Sequence, residues 1–165
     1  YSSGDVTFTL KKITLAGSPD ETKGAFYKSG TIDLSKANKD AKLWSGQTGQ
    51  QNFNWFSGDY QVKSSTASHP GSNIEKDKDY LFVIPQDFSK KTTSADALYV
   101  VVEYTISYSD QTTMKTKVYK QLDKEFEQGK AYTINLTIGL TPIEFDVTTV
   151  EGWTDINQVE INSWN

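Results

Sequence analysis

The chain has 165 residues, 36% of them hydrophobic and 13% aromatic, with 21 acidic residues against 17 basic ones for a formal charge of −4. That length suits one domain with a proper core and is short for two. No cysteine is present, which excludes disulfides, thiolate nucleophiles and zinc-thiolate sites, and an acidic chain without a basic run is a poor partner for nucleic acid.

Val6, Phe8 and Leu10 alternate with Thr7, Thr9 and Lys11, after which Ile13 and Leu15 continue in the opposite phase. Such a flip marks a bulge, or a strand that changes the sheet it packs on. Gly17-Ser18-Pro19-Asp20 ends this strand. Ala25 to Leu34 reads as a second strand, interrupted at Ser29-Gly30, with Phe26 and Ile32 as core contacts. From residue 35 to 72 the pattern dissolves into a long loop region rich in Gly, Gln, Asn and Ser. It carries Trp44, Phe53, Trp55, Phe56 and Tyr60, and has room for a short strand around Tyr60-Gln61-Val62-Lys63.

Tyr80 to Ile84 is apolar on both sides, as in a central strand, and Pro85 stops it. Leu98 to Tyr108 alternates strictly and gives the longest strand. Ser109-Asp110-Gln111 turns the chain, and Thr113 to Tyr119 returns as a polar, lysine-bearing strand suited to an edge. Lys120 to Glu127 has room for a short turn of helix. A Gly129-Lys130 turn then leads into a strand with Tyr132, Ile134, Leu136 and Ile138 on one face and Thr133, Asn135 and Thr137 on the other. Past Thr141-Pro142, Ile143, Phe145 and Val147 alternate in turn before Gly152-Trp153. These periods, the aromatic excess and the lack of a sustained helical pattern predict an all-β fold. The expected architecture is an antiparallel sandwich of about seven or eight strands, one domain over 1–165 with a tail at 154–165.

Few residues concentrate suspicion of chemistry. All the basic residues are lysine, so the bidentate fork suited to phosphate or carboxylate ligands is missing. His69 is the only histidine and reads as a solvated loop residue. Glu103 and Asp146 fall on polar strand faces, where solvent exposure is the plain reading of a carboxylate. Asp77 and Asp79 flank Lys78 in a turn that lacks the full acidic loop of a calcium site. Asn135-Leu136-Thr137 matches a glycosylation sequon in mid-strand. No catalytic, metal-binding or cofactor-binding residue is predicted, and the chain reads as non-enzymatic. No apolar run is long enough to span a bilayer.

Two candidate contact regions remain. Phe53, Trp55, Phe56 and Tyr60, with Asn52, Asn54 and Asp59 among them, form the best candidate ligand contact: rings to stack on a sugar face and polar groups for its hydroxyls. The competing reading is that Trp55 and Phe56 pin the segment onto the sandwich. In the tail, Val159 and Ile161 alternate with Glu160 and Asn162. They make either a last strand or frayed end of this chain, or a strand donated to a neighbour.

The Phe126, Gly129, Lys130, Tyr132 sequence leading into an alternating strand, the second strand from Ile143 to Val147, and Trp153 beyond it resemble the ending of fimbrillins, the type V pilins of Bacteroidales-type bacteria. Tyr80 to Ile84 followed by Pro85-Gln86 is similar to their mid-domain strand. The resemblance covers about the last third of the chain. It implies a transthyretin-like β-sandwich and a cell-surface, outer-membrane fimbrium location. It also implies a precursor from which a lipoprotein signal and an upstream segment have been removed. The implied role is that of a pilus subunit or tip component in adhesion, partnered by other pilin subunits or surface proteins through strand addition, and by a surface glycan or protein. A carbohydrate-binding module using the aromatics around Trp55 is the alternative.

Overall fold

In the computed structural model the described residues are 6–35, 43–62, 81–89, 97–138 and 144–150, with 135, 137 and 144–150 described for the backbone alone. Ten strands lie among them: β1 (Val6–Ala16), β2 (Phe26–Ile32), β3 (Trp44–Gln51), β4 (Phe53–Gln61), β5 (Gln86–Asp87), β6 (Tyr99–Tyr108), β7 (Thr113–Gln121), β8 (Glu125–Phe126), β9 (Ala131–Thr137) and β10 (Glu144–Val150). Every pairing is antiparallel, and no helix occurs among the described residues. The fold is all-β and sandwich-like, as the sequence predicts. Eight strands have seven residues or more, and β5 and β8 are two-residue pairings.

The main sheet has the order β4-β1-β6-β7. Its centre is β6, in which Val100, Val102, Tyr104 and Ile106 point into the core and are 5% exposed or less. The phase flip in β1 is a bulge. Leu10 pairs with Tyr104 and Lys12 with Glu103, so Lys11 has no place in the β6 ladder. The extra residue turns Ile13 and Leu15 back to the same face as Leu10, and all three are buried. β7 runs along β6 without a register shift and ends the sheet, as expected of a lysine-bearing edge.

The second layer consists of three short antiparallel pairs, β2-β3, β5-β8 and β9-β10. They meet the main sheet through an aromatic cluster. The Phe26 ring lies 5.2 Å from Phe88 and 5.7 Å from Phe126, both edge to face, and 5.5 Å from Phe53 of the main sheet. Tyr132, Ile134, Leu136 and Ile138 line the core from the β9 side, and the two alternating C-terminal strands pair with each other.

Three expectations about elements are corrected, and one about a side chain: Ile32, expected as a core contact, is 41% exposed. The region 35–72 is not one long loop, because β3 and β4 occupy 44–51 and 53–61. β3 hides from pattern reading because Gly46 and Gly49, both at positive φ, and polar residues replace alternation. It is held by pairing to β2, where the Trp44 ring covers Gly30 closely enough that a Cβ there would come within 3.2 Å of it. β4 hides because its ladder with β1 shifts register twice, which breaks the two-residue period.

The second correction concerns Leu81 to Pro85, which form no strand. Leu81 and Val83 pack on the core while Phe82 points out at 78% exposure, and the pairing begins after the proline at Gln86. Third, Lys120 to Glu127 makes no helical turn. β7 continues to Gln121, and Glu125–Phe126 pairs with β5.

Candidate functional site

The four predicted contact aromatics stand on one edge strand, β4. Leu15 pairs with Phe53, Ile13 with Phe56 and Leu10 with Tyr60, and the register shift between Ile13 and Thr14 falls at Trp55. That shift lets Phe53, Trp55 and Phe56, which strict alternation would divide between two faces, all become half-buried against the core, as is Tyr60. The strand is brought together as a packed element. It sits beside solvent-exposed Asn54, Ser57, Gly58 and Asp59, and Lys11 pairs with the Asp59 carboxylate. Val159, Ile161, His69, Asp77, Asp79, Trp153 and Tyr80 lie outside the described residues. Glu103 is half-exposed on the outer face, 3.7 Å from Lys117.

The motif at the start of β9 is a joint. Phe126 is buried and its ring lies 4.8 Å from that of Tyr132. Gly129 turns the chain at φ 71°, a conformation that glycine adopts without a steric penalty. Lys130 pairs with Glu127 at 2.7 Å, which holds its ammonium pKa above the ordinary value. The Tyr132 hydroxyl accepts a hydrogen bond from the Glu127 backbone N–H at 2.8 Å, tying the new strand to the chain five residues back. Burial pushes the Tyr132 phenol pKa up, and this hydrogen bond opposes the rise. Replacing Tyr132 with phenylalanine removes the bond while leaving the ring. Equilibrium denaturation is expected to show a loss of about 1 kcal/mol, because the freed N–H belongs to an exposed residue that water can reach.

Gln86 is the second joint. Its buried side-chain amide donates to the Ala25 carbonyl at 3.1 Å and accepts from the Tyr27 N–H at 3.3 Å. The amide thus imitates a strand beside β2, while the Gln86 backbone pairs with Phe126. One residue stitches β2 to the β5-β8 pair.

On the opposite face of the main sheet, Lys12, Glu103 and Lys117 form a row across β1, β6 and β7. The segment from Gly17 to Ala25 folds over it. Glu21 places one carboxylate oxygen 2.6 Å from Lys12 and the other 2.6 Å from Lys117. Its backbone is held at φ 62°, with its N–H bonded to the Ser18 carbonyl and its own carbonyl accepting from Asn52 at 2.7 Å. Burial opposes ionisation of Glu21. The hydrogen bonds from Lys117 and Lys12 outweigh that and bring the carboxyl to about 2, and the Thr14 hydroxyl adds a weaker pull without reaching hydrogen-bond geometry.

The sign of the linked stability follows from this depression. The contribution of Glu21 is complete above the ordinary carboxyl value of 4.5 and is lost as pH falls toward about 2. With screening at the half-exposed lysines allowed for, it is about 1–2 kcal/mol. The Glu21→Gln variant is therefore expected to be less stable at pH 7 and to show a shallower stability loss between pH 4.5 and 2 in acid titrations followed by circular dichroism.

Sequence reading did not single out Glu21, and it offered Asn52 only as a polar group for a sugar hydroxyl, whereas its amide holds the Glu21 carbonyl. A usable signal was present nonetheless. Asp20, Asp33, Asp87 and Asp110 each stand two residues before a serine or threonine whose backbone N–H and hydroxyl both bond to the aspartate. This repeated Asp-x-Ser/Thr device marks four turns.

Among the described residues no group of three or more His, Cys, Asp or Glu side chains is placed to hold a metal ion, and no helix is long and apolar enough to cross a membrane. No family model, curated protein or solved structure matches the chain.

Proposed function

We propose that the chain is a non-enzymatic building block of a bacterial surface fibre: a fimbrillin-like subunit or tip component that serves adhesion at the outer membrane and assembles by β-strand complementation. The observation that supports this reading most is the joint from Phe126 to Tyr132. Within that joint Phe126, Lys130 and Tyr132, together with Gln86, have packing, ion-pairing or hydrogen-bonding work to do. With no metal-holding cluster of His, Cys, Asp or Glu among the described residues, we give this pattern a mechanical meaning: it preserves a rigid brick. Either edge of the main sheet, β4 or β7, can in principle receive another strand through main-chain hydrogen bonds. β7 is the better receiver, since its nine residues keep a regular register while β4 is twice bulged.

The glycan-binding alternative draws less support. A sugar platform needs an open ring face, and Phe53, Trp55, Phe56 and Tyr60 are all half-buried against the core. Strand addition is tested by titrating the isotope-labelled protein with a peptide of residues 154–165. The expected result is amide shifts concentrated along β7 or β4 with slow dissociation. Spectra unchanged at millimolar peptide count against assembly through this tail.

A further inference from the structure

Two buried polar side-chain atoms have no hydrogen-bond partner among the described residues, the Thr14 hydroxyl and the Asn52 carbonyl oxygen Oδ1. Both belong to one corner of the molecule. Asn52 is the single residue between β3 and β4, where the chain leaves the second layer and enters the main sheet. Thr14 pairs with Asn54 and Leu15 with Phe53, so Asn52 lies one residue before the ladder, and Glu21 reaches both residues, with its carbonyl bonded to Asn52 and its carboxylate near the Thr14 hydroxyl. The Asn52 amide nitrogen is already committed to the Glu21 carbonyl at 2.7 Å, which fixes the orientation of the amide and leaves Oδ1 inside. Thr14 is 3% exposed, so bulk solvent does not reach its hydroxyl. Two such groups left unmet in one corner are costly, and buried polar atoms without protein partners are where internal water is found.

We propose that this corner binds one internal water molecule, which donates to Asn52 Oδ1 and hydrogen-bonds the Thr14 hydroxyl. Diagonal neighbours on one face of an antiparallel pair stand about 7–8 Å apart, and two polar side chains that lean toward each other across that distance leave a gap suited to a bridging water. Its neutrality follows from the charges around it. Lys12 and Lys117 each pair with one oxygen of the Glu21 carboxylate, so a metal cation here would meet two ammonium groups against a single carboxylate. The water completes a clamp on the Gly17–Ala25 segment. Glu21 fastens its side chain to β1 and β7, Asn52 fastens its backbone, and the bound water ties Asn52 to β1. Val101 and Ala16 are buried on this same face of the sheet.

The test is a high-resolution crystal structure of the whole chain, with a thallium soak, and of its Thr14→Val variant. The expected result is one density peak within hydrogen-bonding distance of both atoms, without anomalous signal after the soak, and absent from the variant. An empty corner, or thallium in it, overturns the proposal. Denaturation supplies an independent reading by its sign. Thr14→Val keeps the shape of the side chain, so in a hydrated corner it strips a partner from the water and raises the unfolding constant about five- to tenfold. In a Glu21→Gln background, where the Thr14 hydroxyl has no carboxylate to pull on, a dry corner instead gains from losing an unmet hydroxyl, and an unchanged or raised denaturation midpoint there contradicts the bound water.

Discussion

Replacing Phe26 with alanine is expected to lower the stability of the folded chain by about 3–5 kcal/mol, the range for emptying a buried phenylalanine site. Phe26 is 1% exposed and its ring contacts those of Phe53, Phe88 and Phe126, which come from the main sheet and from both members of the β5-β8 region. The neighbours cannot close over the gap easily, since each ring is held by its own strand or turn. Edge-to-face geometry with Phe88 and Phe126, at interplanar angles of 81°, is lost along with the buried area. Phe82→Ala is the internal control. A central buried strand over Tyr80–Ile84 would make Phe82 as costly to truncate as Phe26, yet its ring is 78% exposed. Its loss is therefore expected to change stability by about 0.5 kcal/mol or less. Urea denaturation of the two variants separates these outcomes, and equal losses would contradict the packing described.

Gln86→Glu is expected to cost about 2–4 kcal/mol at neutral pH, although it exchanges one amide nitrogen for one oxygen. In the wild type the amide nitrogen donates to the Ala25 carbonyl, which also receives Gln50 at 3.4 Å. A carboxylate oxygen in the same place sets two acceptors against each other in a site that is 8% exposed. Burial and the facing carbonyl both raise the pKa of the new carboxyl, and the protonated acid can again donate. The folded-state pKa lies above the unfolded one, so the penalty is fully present above the raised value and disappears as pH falls below it. The variant is thus expected to approach wild-type stability near pH 4, where Glu21 is only beginning to protonate. A penalty independent of pH would show that the amide does not bond as described.

Much of the fold was legible in the sequence because one buried face imposes a two-residue period. The strict alternation of Leu98–Tyr108 became the central strand, the polar return over Thr113–Tyr119 became the edge, and the slip between Lys11 and Ile13 became a bulge. What escaped shares a physical cause. β3 and β4 depend on glycines at positive φ and on register shifts, which erase the period. Leu81–Pro85 shows the opposite failure, with apolar residues that pack on the core without entering a ladder among the described residues.

The aromatics around Trp55 were visible as a group, but only the bulged pairing with β1 explains why all of them turn inward. Glu21 looked like an ordinary loop acid. Its partners Lys12 and Lys117 are 9 and 96 residues away, and only the sheet brings them together. The motif from Phe126 to Tyr132 could be noticed as a likeness, and the backbone bond to Glu127 supplies its reason.

Amide hydrogen exchange followed by NMR tests most directly whether these joints lock the two layers into one body. The Tyr27 N–H bonds to the Gln86 side chain and the Phe88 N–H to the Lys124 carbonyl, so both report on the second layer. The expected result is protection of Tyr27 and Phe88 close to that of the Val100 and Val102 amides in β6, with the Tyr27 and Phe88 protection falling first in Gln86→Glu. Rapid exchange at Tyr27 and Phe88 in the wild type, beside a protected β6, would contradict the joined sandwich.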